Sequence, residues 1–219
     1  TITKCYICKN LLSSSNIYVK MMQDASTEYE FLSFLVGATL KRSVVERDDK
    51  IRSKFSLRGV DSIKTEVTRE LGKKFAKKTK SSIKHLLPDI TFTINFRTDK
   101  CEVKTKPVFL YGRYLKNKSG ISQKQESCQD CKGTGCIFCN NHGIVHFNSV
   151  EGKISQILYK QFGSDQVKFT WIGGEDKTSL VKGDGRPFFV KLISPKKQNV
   201  QLPKKLVFDE ITVNDLRKI

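Results

Sequence analysis

The stretch DITFTINFR, residues 89–97, decides the fold of the first half of this chain. Its apolar residues fall at every second position, at Ile90, Phe92, Ile94 and Phe96. Because successive side chains of a strand point to opposite faces, this alternation predicts a strand with one buried face. Residues 98–100, TDK, predict a hairpin turn, and residues 102–105 and 108–114 predict two further strands.

An amphipathic helix precedes this strand. Its apolar residues recur every four positions, at Ile63, Val67, Leu71 and Phe75. The pattern predicts a helix over residues 61–78 with Asp61 as its N-cap. Residues 48–55 predict a shorter helix, and the apolar residues 31–40 predict a strand. Together these elements predict a small α+β module over residues 24–116.

The second half of the chain has a sparser pattern. Residues 150–161 predict a helix, while residues 167–172 and 188–193 predict strands on either side of a glycine-rich turn. Residues 195–205 have the composition of a linker, and residues 206–211 predict one more strand. This order of elements also belongs to the α+β class.

The chain has 219 residues and is strongly basic. It carries 40 Lys and Arg against 22 Asp and Glu, which gives a net charge of +18 and a pI near 9.6. A surplus this large indicates an anionic partner, most often a nucleic acid, although a merely soluble basic surface would have the same composition. No apolar run approaches the roughly 18 residues that span a bilayer, and no signal peptide is visible. We therefore expect no membrane association and a cytoplasmic location.

The basic surplus is concentrated within residues 41–84. Five lysines lie at the C-terminal end of the amphipathic helix and just beyond it: Lys73, Lys74, Lys77, Lys78 and Lys80. Cations at this position also suit the helix dipole. The lysines indicate either a solvated helix face or a ridge that follows the phosphates of a nucleic acid.

Six of the seven cysteines form three C-x-x-C pairs: Cys5/Cys8, Cys128/Cys131 and Cys136/Cys139. In a basic chain without a secretory signal, such pairs hold a metal more often than a disulfide. Two pairs supply four thiolates in a tetrahedron, which suits a structural zinc ion. The two pairs within residues 128–139 could close a site alone, or the pair at residues 5 and 8 could join one of them. Glycines after the later cysteines allow positive φ, at which backbone N–H groups can turn toward sulfur.

A glycine-rich loop, GGEDKTSLVKGDGRPFF (residues 173–189), lies between two predicted strands, where a rigid scaffold would position it. Asp176 follows Glu175, and Arg186 lies ten residues further on. A carboxylate near a guanidinium stays ionised at neutral pH, as a nucleophile or a general base requires. On composition alone, a turn with a solvated aspartate is the better interpretation.

Three stretches together resemble the tRNA pseudouridine synthase family ten, the archaeal and eukaryotic synthases with an N-terminal RNA-binding THUMP module. The first is FLVGATL (34–40) with DSIKTEVTRELGKKF (61–75), similar to the family's first strand and following helix. The second is LPDITFTINF (87–96) with PVFLYGRYLKNKSGISQ (107–123), similar to the THUMP core and to a strand ending in Gly-Arg-Tyr. The third is the loop 173–189, similar to the family's catalytic loop G-R-E-D-x-D-x-R-x-L-G-x-G-R-P-F.

The resemblance implies an α+β fold with a zinc site and a mixed or antiparallel catalytic sheet. An N-terminal C-x-x-C half-site is also a family feature, which Cys5 and Cys8 match. The implied domains are a zinc half-site and linker (1–23), a THUMP-like RNA-binding module (24–116), a cysteine-rich zinc connector (117–148) and the first part of the catalytic domain (149–219).

The resemblance also implies an activity, the isomerisation of uridine to pseudouridine in the TΨC arm of tRNA, at tRNA positions 54/55, without an organic cofactor. The family's catalytic aspartate falls on Asp176, and Glu175 and Arg186 would support its loop. tRNA is then the expected partner. RNA contacts are expected from the five lysines and from Arg113 of the Gly-Arg-Tyr sequence.

The loop departs from the family pattern at three positions where the family has a charged residue. Gly174, Thr178 and Leu180 stand where the family has Arg, Asp and Arg. The family's catalytic domain continues beyond the position of Ile219, so we expect a further C-terminal portion or a partner chain to complete the uridine pocket. Two functions therefore stay open, a pseudouridine synthase and a zinc-containing tRNA-binding module that acts with a partner and has no catalysis of its own.

Overall fold

The alternating stretch forms strand β3 (Ile90–Asn95) in the computed structural model of the chain, which describes residues 4–219. The apolar residues of this stretch point into a core and are almost completely buried, as the alternation predicts. The next strand, β4 (Lys100–Thr105), pairs antiparallel with β3 across a turn at residues 96–99. The predicted hairpin is confirmed.

Three helices and four strands build the first unit of the chain within residues 4–105. The helices are α1 (Ser15–Ser26), α2 (Arg42–Lys54) and α3 (Ile63–Thr79), with a 3-10 turn at Leu11–Ser14 before α1. The other two strands are β1 (Ser33–Thr39) and β2 (Ser82–Ile83). The sheet has the strand order β2-β1-β3-β4, and β1 runs parallel to both of its neighbours.

Phenylalanine rings dominate the core of this unit. Phe34 on β1, Phe75 on α3 and Phe92 on β3 are completely buried. The ring centroid of Phe75 lies 4.8 Å from that of Phe34 and 5.0 Å from that of Phe92. Tilted rings at these separations attract each other beyond the effect of burial alone. Helix α3 is thus fixed to the sheet through one ring, and its basic C-terminal end is positioned by that contact.

The N-terminus of α3 differs from the prediction by one residue. Ser62, and not Asp61, caps the helix, since the Ser62 hydroxyl accepts a hydrogen bond from the Thr65 backbone N–H at 3.2 Å. Asp61 pairs instead with Arg69, with 2.6 Å between Asp61 Oδ2 and Arg69 Nη1. Both residues are good N-caps, and the tertiary ion pair decides between them.

The N-terminal segment forms more structure than the half-site and linker expected over residues 1–23, of which residues 1–3 lie outside the described residues. Helix α1 places Val19 and Met22 in the first core with no exposed surface, so this segment is part of the first unit. Helix α2 begins at Arg42 rather than at residue 48. Val44 is buried one turn before the buried Asp48, and the charged residues around them obscure the helical period.

A five-stranded antiparallel sheet and one helix form the second unit, Lys106–Ile219. The strands, in the sheet order β6-β7-β5-β9-β8, are β5 (Val108–Lys116), β6 (Gln166–Trp171), β7 (Val181–Ile193), β8 (Lys205–Phe208) and β9 (Ile211–Lys218). Helix α4 (Val150–Phe162) packs on one face of this sheet through Ile154, Leu158 and Phe162. With one mixed and one antiparallel sheet, the predicted α+β class is confirmed.

Three features of this unit correct the sequence-based assignment. Strand β5, which we expected at the end of the module over residues 24–116, pairs with β7 and β9 and so belongs to the second sheet. Strand β7 begins at Val181 rather than at residue 188, because residues 181–187 continue alongside β5 beyond the end of β6. The single strand expected at residues 206–211 is the end of β8, a turn and the start of β9, because the polar residues 209–210 turn the chain back.

No helix within residues 4–219 is both long enough and apolar enough to cross a bilayer.

Phe75→Ala is expected to lower the free energy of unfolding of the first unit by about 3–5 kcal/mol, because the truncation leaves a cavity between two buried rings. Phe55→Ala is the matched control. Phe55 lies at the end of α2 and is 60% exposed, so its truncation should change stability by less than about 0.5 kcal/mol. Urea denaturation followed by circular dichroism measures both effects. Equal midpoints for the two variants would contradict the core described above.

Candidate active site and metal centre

The loop that connects β6 and β7 presents Asp176 to solvent. The two strands pair from Gln166 opposite Ile193 to Trp171 opposite Phe188, so residues 172–180 cross the open end. The Asp176 side chain is exposed. Its backbone carbonyl accepts hydrogen bonds from the Ser179 N–H at 3.1 Å and from Lys116 Nζ at 3.4 Å. The carboxylate is therefore accessible, while the backbone beneath it is held in place.

Glu175 directly precedes Asp176 and points into the protein. Its side chain is 1% exposed, with Oε1 3.0 Å from Lys116 Nζ and Oε2 3.7 Å from Arg186 Nε. The Lys116 side chain is itself completely buried. A buried ion is tolerated only with a close counter-charge, because its desolvation costs several kcal/mol. Two cations on one carboxylate therefore fix the loop backbone at this residue.

Cationic side chains also hold backbone carbonyls around the loop. Arg186 Nη1 donates to the Gly174 carbonyl at 3.0 Å, and Lys116 Nζ donates to the Ile121 carbonyl at 2.9 Å. Gly173 has a φ of +82°, and a Cβ there would lie 2.8 Å from Arg186 Nη1. At Gly174 a Cβ would meet none of the described atoms within 4 Å. The arginine that the family carries at this position would thus extend from the loop into open space.

A buried tyrosine and a buried glutamine extend this network. Gln123 Nε2 donates to Tyr114 Oη at 2.9 Å and to the Gly173 carbonyl at 3.3 Å. Burial raises the pKa of Tyr114, and the negative charge of Glu175 adds to the effect. The phenol therefore stays protonated and serves as a neutral hydrogen-bonding group beneath the loop.

Lys116, Tyr114 and Gln123 were not identified from the sequence. A signal for Lys116 was present, since position 116 shares the parity of the buried positions 108, 110 and 114 in the same strand. A lysine on a buried face requires a counter-charge, which the loop supplies as Glu175. Gln123 has no such signal, because it lies in an irregular segment whose path depends on the rest of the unit.

Arg186 and Glu175 thus come together beneath the loop that carries Asp176, but the guanidinium contacts Glu175 and the Gly174 carbonyl rather than the Asp176 carboxylate that the sequence analysis placed beside it. Arg113 has a different setting. By strand parity, Arg113 lies on the face of β5 opposite to Lys116. Its Nε donates to the Asp184 carbonyl at 2.7 Å, and its Nη2 donates to the Gly185 carbonyl at 2.8 Å. These bonds hold residues 184–185 of β7 against β5.

The five lysines expected to contact RNA lie at the C-terminal end of α3, in the first unit. Four of them are exposed: Lys73, Lys77, Lys78 and Lys80. The fifth, Lys74, is partly buried, and its Nζ donates to Ser15 Oγ at 2.6 Å. This helix end is therefore a cationic surface, and Lys74 joins α3 to α1.

Four cysteines between β5 and α4 come together: Cys128, Cys131, Cys136 and Cys139. All four sulfurs lie within 4.8 Å of one another. The Sγ–Sγ distances include 3.9 Å for Cys128–Cys136, 3.8 Å for Cys131–Cys139 and 3.7 Å for Cys136–Cys139. Tetrahedral sulfurs at metal–sulfur distances of about 2.3 Å are about 3.8 Å apart. The group could therefore hold a metal ion, and its geometry fits zinc.

Backbone amides point at these sulfurs, as the glycines of the segment predict. The Gly135 N–H donates to Cys131 Sγ at 3.2 Å, and the Gly143 N–H donates to Cys139 Sγ at 3.2 Å. Although burial opposes the shift, the amides of Gly135 and Gly133 lower the pKa of Cys131 to about 7. These donors favour the thiolate, which is the form that binds a metal.

The cysteine cluster is docked against α4 and β6. The His142 ring stacks on Tyr159 with centroids 3.7 Å apart, and its Nδ1 lies 2.9 Å from the Asp165 carbonyl oxygen. Gln166 Nε2 donates to the Thr134 carbonyl at 2.5 Å. His142 thus contributes packing and a hydrogen bond at this junction, and the four thiols supply the complete donor set.

Cys5 and Cys8 lie in the first unit. The Lys9 N–H donates to the Cys5 carbonyl at 2.9 Å and closes a turn around the pair. The Cys8 backbone amide lowers the pKa of Cys5. Within residues 4–105, the pair belongs to no group of three or more His, Cys, Asp or Glu side chains arranged for a metal. The geometry favours a site closed by residues 128–139 alone, and a metal at Cys5 and Cys8 stays a prediction.

Comparison with known proteins gives concordant matches. A family model described as the archaeal Pus10 THUMP domain matches residues 18–95, and one described as Pus10, C-terminal, matches residues 109–218. The tRNA pseudouridine synthase Pus10 of Nitrosopumilus maritimus is 53% identical over 198 residues, which cover 90% of this chain and 52% of that protein. Its counterpart in Cenarchaeum symbiosum is 35% identical over 217 residues, which cover 99% of this chain and 54% of that protein.

A third relative is the tRNA pseudouridine synthase Pus10 of Korarchaeum cryptofilum, 31% identical over 201 residues, or 90% of this chain and 53% of that protein. The chain spans about half the length of the curated relatives it matches. The resemblance found in the sequence is confirmed. Because the C-terminal model alone matches half of the residues and the THUMP model matches much of the remainder, the chain belongs to the Pus10 family.

Proposed function

We propose that this chain supplies the nucleophile and part of the RNA-binding surface of a tRNA pseudouridine synthase that acts on the TΨC arm of tRNA, at tRNA positions 54/55. The names of its relatives support the reaction and the substrate class. The observation that carries the proposal is the opposite orientation of two adjacent carboxylates. Glu175 is buried between two cations, and Asp176 is exposed. Of the two, only Asp176 can reach an RNA substrate.

In this proposal the Asp176 carboxylate attacks a uridine that has left its base stack. The carboxylate forms a covalent bond to the uridine and the N1–C1′ bond breaks. The base then rotates, a C5–C1′ bond forms, and the bond to Asp176 breaks again, which restores the carboxylate. The hydrogen on C5 is lost as a proton and N1 gains one, so the product is an isomer of the substrate and no organic cofactor is required. Extruding the base costs a few kcal/mol, which phosphate contacts along a basic surface can offset.

Lys116, Glu175 and Arg186 act as positioning residues in this proposal. Arg186 holds the backbone carbonyl of Gly174, and Lys116 holds that of Asp176. Glu175 pairs with Lys116 between these two positions. A carboxylate on a fixed backbone starts close to the geometry of attack, which reduces the entropy that the reaction must otherwise lose. Arg186 in the retained Gly-Asp-Gly-Arg-Pro-Phe sequence thereby supplies a cation to a loop that lacks the two arginines of the family pattern.

The tRNA backbone would be held by the cationic end of α3. The four exposed lysines there present ammonium groups on one helix end, and each phosphate contact releases condensed counterions. Lys73 and Lys78 bond to Glu70 and Gln23 but remain exposed. Lys74 and Arg113 are instead partly buried and make intramolecular hydrogen bonds. We therefore assign phosphate binding to the exposed lysines and a positioning role to the other two side chains.

The four-cysteine cluster and the THUMP match also suit the second function, a zinc-containing tRNA-binding module that has no catalysis of its own and acts with a partner or a further catalytic portion. The two functions differ in whether Asp176 turns over uridine in the 219-residue chain.

The metal proposed for the cysteine cluster is a structural zinc ion held by Cys128, Cys131, Cys136 and Cys139. Four sulfur donors leave no open position for a reacting group, so the ion would cross-link the segment and take no part in isomerisation. The amide donors from Gly135 and Gly143 would spread the net negative charge of a four-thiolate zinc site.

Asp176→Asn is expected to reduce tritium release from tRNA carrying 5-tritiated uridine by at least about 10³-fold, because an amide cannot act as the nucleophile. Asp184→Asn is the matched control, since Asp184 is also exposed and lies in the neighbouring part of β7. It should retain wild-type turnover. Equal turnover by Asp176→Asn and the wild type would exclude Asp176 as nucleophile, and tight tRNA binding by a wild-type chain without turnover would establish the second function.

The buried ion pair of Lys116 and Glu175 is expected to show strong coupling. Removing one partner leaves an unpaired buried charge, so Lys116→Met should lower the free energy of unfolding of the second unit by about 3–5 kcal/mol. In a double-mutant cycle with Glu175→Gln, the coupling should exceed about 1 kcal/mol. The exposed pair Lys118–Glu210, with 3.1 Å between nitrogen and oxygen, is the control and should couple far more weakly. Equal coupling for the two pairs would contradict the proposal that the buried ion pair holds the loop in place.

The purified chain is expected to contain one zinc ion, measured by elemental analysis. Cys131→Ser should remove it, because three thiolates and a hydroxyl bind zinc more weakly. Cys101→Ser is the control, since burial raises the pKa of Cys101 to about 11 and its thiol lies on β4. The double variant Cys5→Ser/Cys8→Ser should retain the metal. Its loss in that variant would instead place the N-terminal pair in the site.

A further inference from the structure

One face of the second sheet carries exposed aromatic and cationic side chains. Helix α4 and the core cover the other face, which holds Leu110, Phe188 and Val190. The outer face is formed by the alternate residues of β5 and their cross-strand neighbours. We call five of these residues the aromatic platform: Phe109, Tyr111, Phe189, Lys191 and Arg217.

The strand register places these five side chains side by side. Lys191 lies opposite Phe109 and Phe189 lies opposite Tyr111 on β7, while Arg217 lies opposite Tyr111 on β9. The Tyr111 and Phe189 ring centroids are 5.5 Å apart. Lys191 Nζ lies 5.8 Å from the Phe109 centroid, and the Arg217 guanidinium carbon lies 4.8 Å from the Tyr111 centroid. The platform is thus three neighbouring rings with a cation at each side.

The platform rings face solvent. Phe109 is 43% exposed and Phe189 is 37% exposed. Two such rings on one sheet face, away from the hydrophobic core, form an apolar surface with no folding role apparent from their packing. Arg113 also fixes the tyrosine, since its Nη1 lies 3.3 Å from Tyr111 Oη. The rings are therefore held in position before any ligand arrives.

The charged side chains around the platform indicate the chemical class of its ligand. Lys168 lies opposite Lys191 and is exposed on the same face. Asp215 is the acidic group beside the platform, 3.8 Å from Arg217. Protein–protein interfaces are depleted in lysine at their centres. Aromatic rings among lysines and arginines instead match a single-stranded nucleic acid, whose bases stack on rings and whose phosphates need cations.

We propose that the aromatic platform binds unpaired nucleotides of RNA. The bases stack on Phe109, Tyr111 and Phe189, and the phosphates lie against Lys191 and Arg217. Alternate residues of a strand are about 6.8 Å apart, so the surface has room for two or three splayed bases. This inference rests on the proposed function and deepens it, because unpaired nucleotides are the form that tRNA exposes around an extruded uridine.

Fluorescence anisotropy with a labelled oligouridine and with an RNA duplex of equal length tests the proposal. Phe109→Ala and Phe189→Ala should each weaken oligouridine binding at least about fivefold, because each removes a stacking surface. The salt dependence of binding should stay unchanged in these two variants. Duplex affinity should also stay unchanged, since paired bases have no free face to stack. Lys191→Gln should lower the slope of log affinity against log salt by about 0.7, as expected for one lost phosphate contact to a single strand.

The chain offers a matched control at Phe55. This ring is also exposed, and Lys54 Nζ lies 5.5 Å from its centroid, but it lies at the end of α2. Phe55→Ala should leave oligouridine affinity unchanged. Photo-crosslinking with RNA that carries 5-iodouridine should label peptides that contain residues 109–111 or 189. Crosslinks confined to residues 63–84 would overturn the proposal.

Two further outcomes would also overturn it. The first is oligouridine affinity that neither platform variant changes, or that falls equally for the duplex. The second is a wild-type dimer that Phe109→Ala dissociates in sedimentation velocity, which would make the platform an interface between two copies. Asp176→Asn separates the inference from the proposed function, because it should abolish turnover and leave oligouridine binding intact. Turnover that survives this change refutes the proposed function alone. A wild-type chain that turns over uridine but binds oligouridine no more tightly than the platform variants do refutes this inference alone.

Discussion

The buried carboxylate of Glu175, held between Lys116 and Arg186, is the interaction on which the candidate active site depends. It joins three distant parts of the chain, namely the end of β5, the loop after β6 and the middle of β7. Lys116 and Glu175 are almost completely buried, so each would be costly to bury alone. Removing either of these two would leave an uncompensated ion inside the protein, while Arg186 is partly exposed and adds a second cation to the same carboxylate. The loop backbone is therefore fixed by electrostatics, in a segment that has no regular secondary structure of its own.

The cysteine cluster has a related effect on the segment before α4. Residues 117–148 contain little regular structure, and a metal-bridged set of thiolates can replace the hydrophobic core that such a segment lacks. Gln123, just before the cluster, reaches the Gly173 carbonyl of the loop. Gln125, two residues later, accepts a hydrogen bond from Ser149, whose hydroxyl caps α4. The connector thus contacts both the loop that carries Asp176 and the helix that packs on the sheet.

How far the sequence predicts this structure depends on whether the signal is local. Strand β3 and helix α4 follow from apolar periodicity, and a four-thiolate site follows from the C-x-x-C spacing. The spacing does not decide which two of the three pairs form that site, and the structure brings together the pairs within residues 128–139. The start of β7 does not follow from a local signal, because residues 182–185 are polar or glycine and have no partner in β5, and the strand extends to Val181 only because Val181 pairs with Lys116. The resemblance to a family motif singles out Glu175 and Asp176. It does not predict that one side chain points into the protein and the other into solvent.

The same limit explains the misplaced β5. Its alternation is clear in the sequence, but alternation does not say which sheet a strand joins, and its position directly after β4 suggested the first module. The choice is made by partners far away in sequence, in β7 and β9. Lys116 was overlooked for a similar reason, since a lysine at a strand end usually faces water. Its burial becomes predictable only when the strand is known to be central and its parity is known.

Strand β5 shows how one segment can serve both faces of the sheet. Positions 110, 114 and 116 point toward the core and the buried charges, while positions 109, 111 and 113 form the outer face. The pairing with β7 is interrupted between Tyr114 and Lys116, where residues 182–185 leave the ladder. Gly185 has a φ of +76°, and a Cβ there would lie 2.8 Å from the Tyr114 carbonyl oxygen.

A one-residue slip in β5 would exchange its two faces, because side chains alternate with a period of two. The slip would place Lys116 in solvent, bury the rings of Phe109 and Tyr111, and leave Glu175 without its nearest cation. Gly185 and the irregular pairing beside it therefore help to fix the register that keeps Lys116 beside Glu175 and the aromatic platform on the outer face.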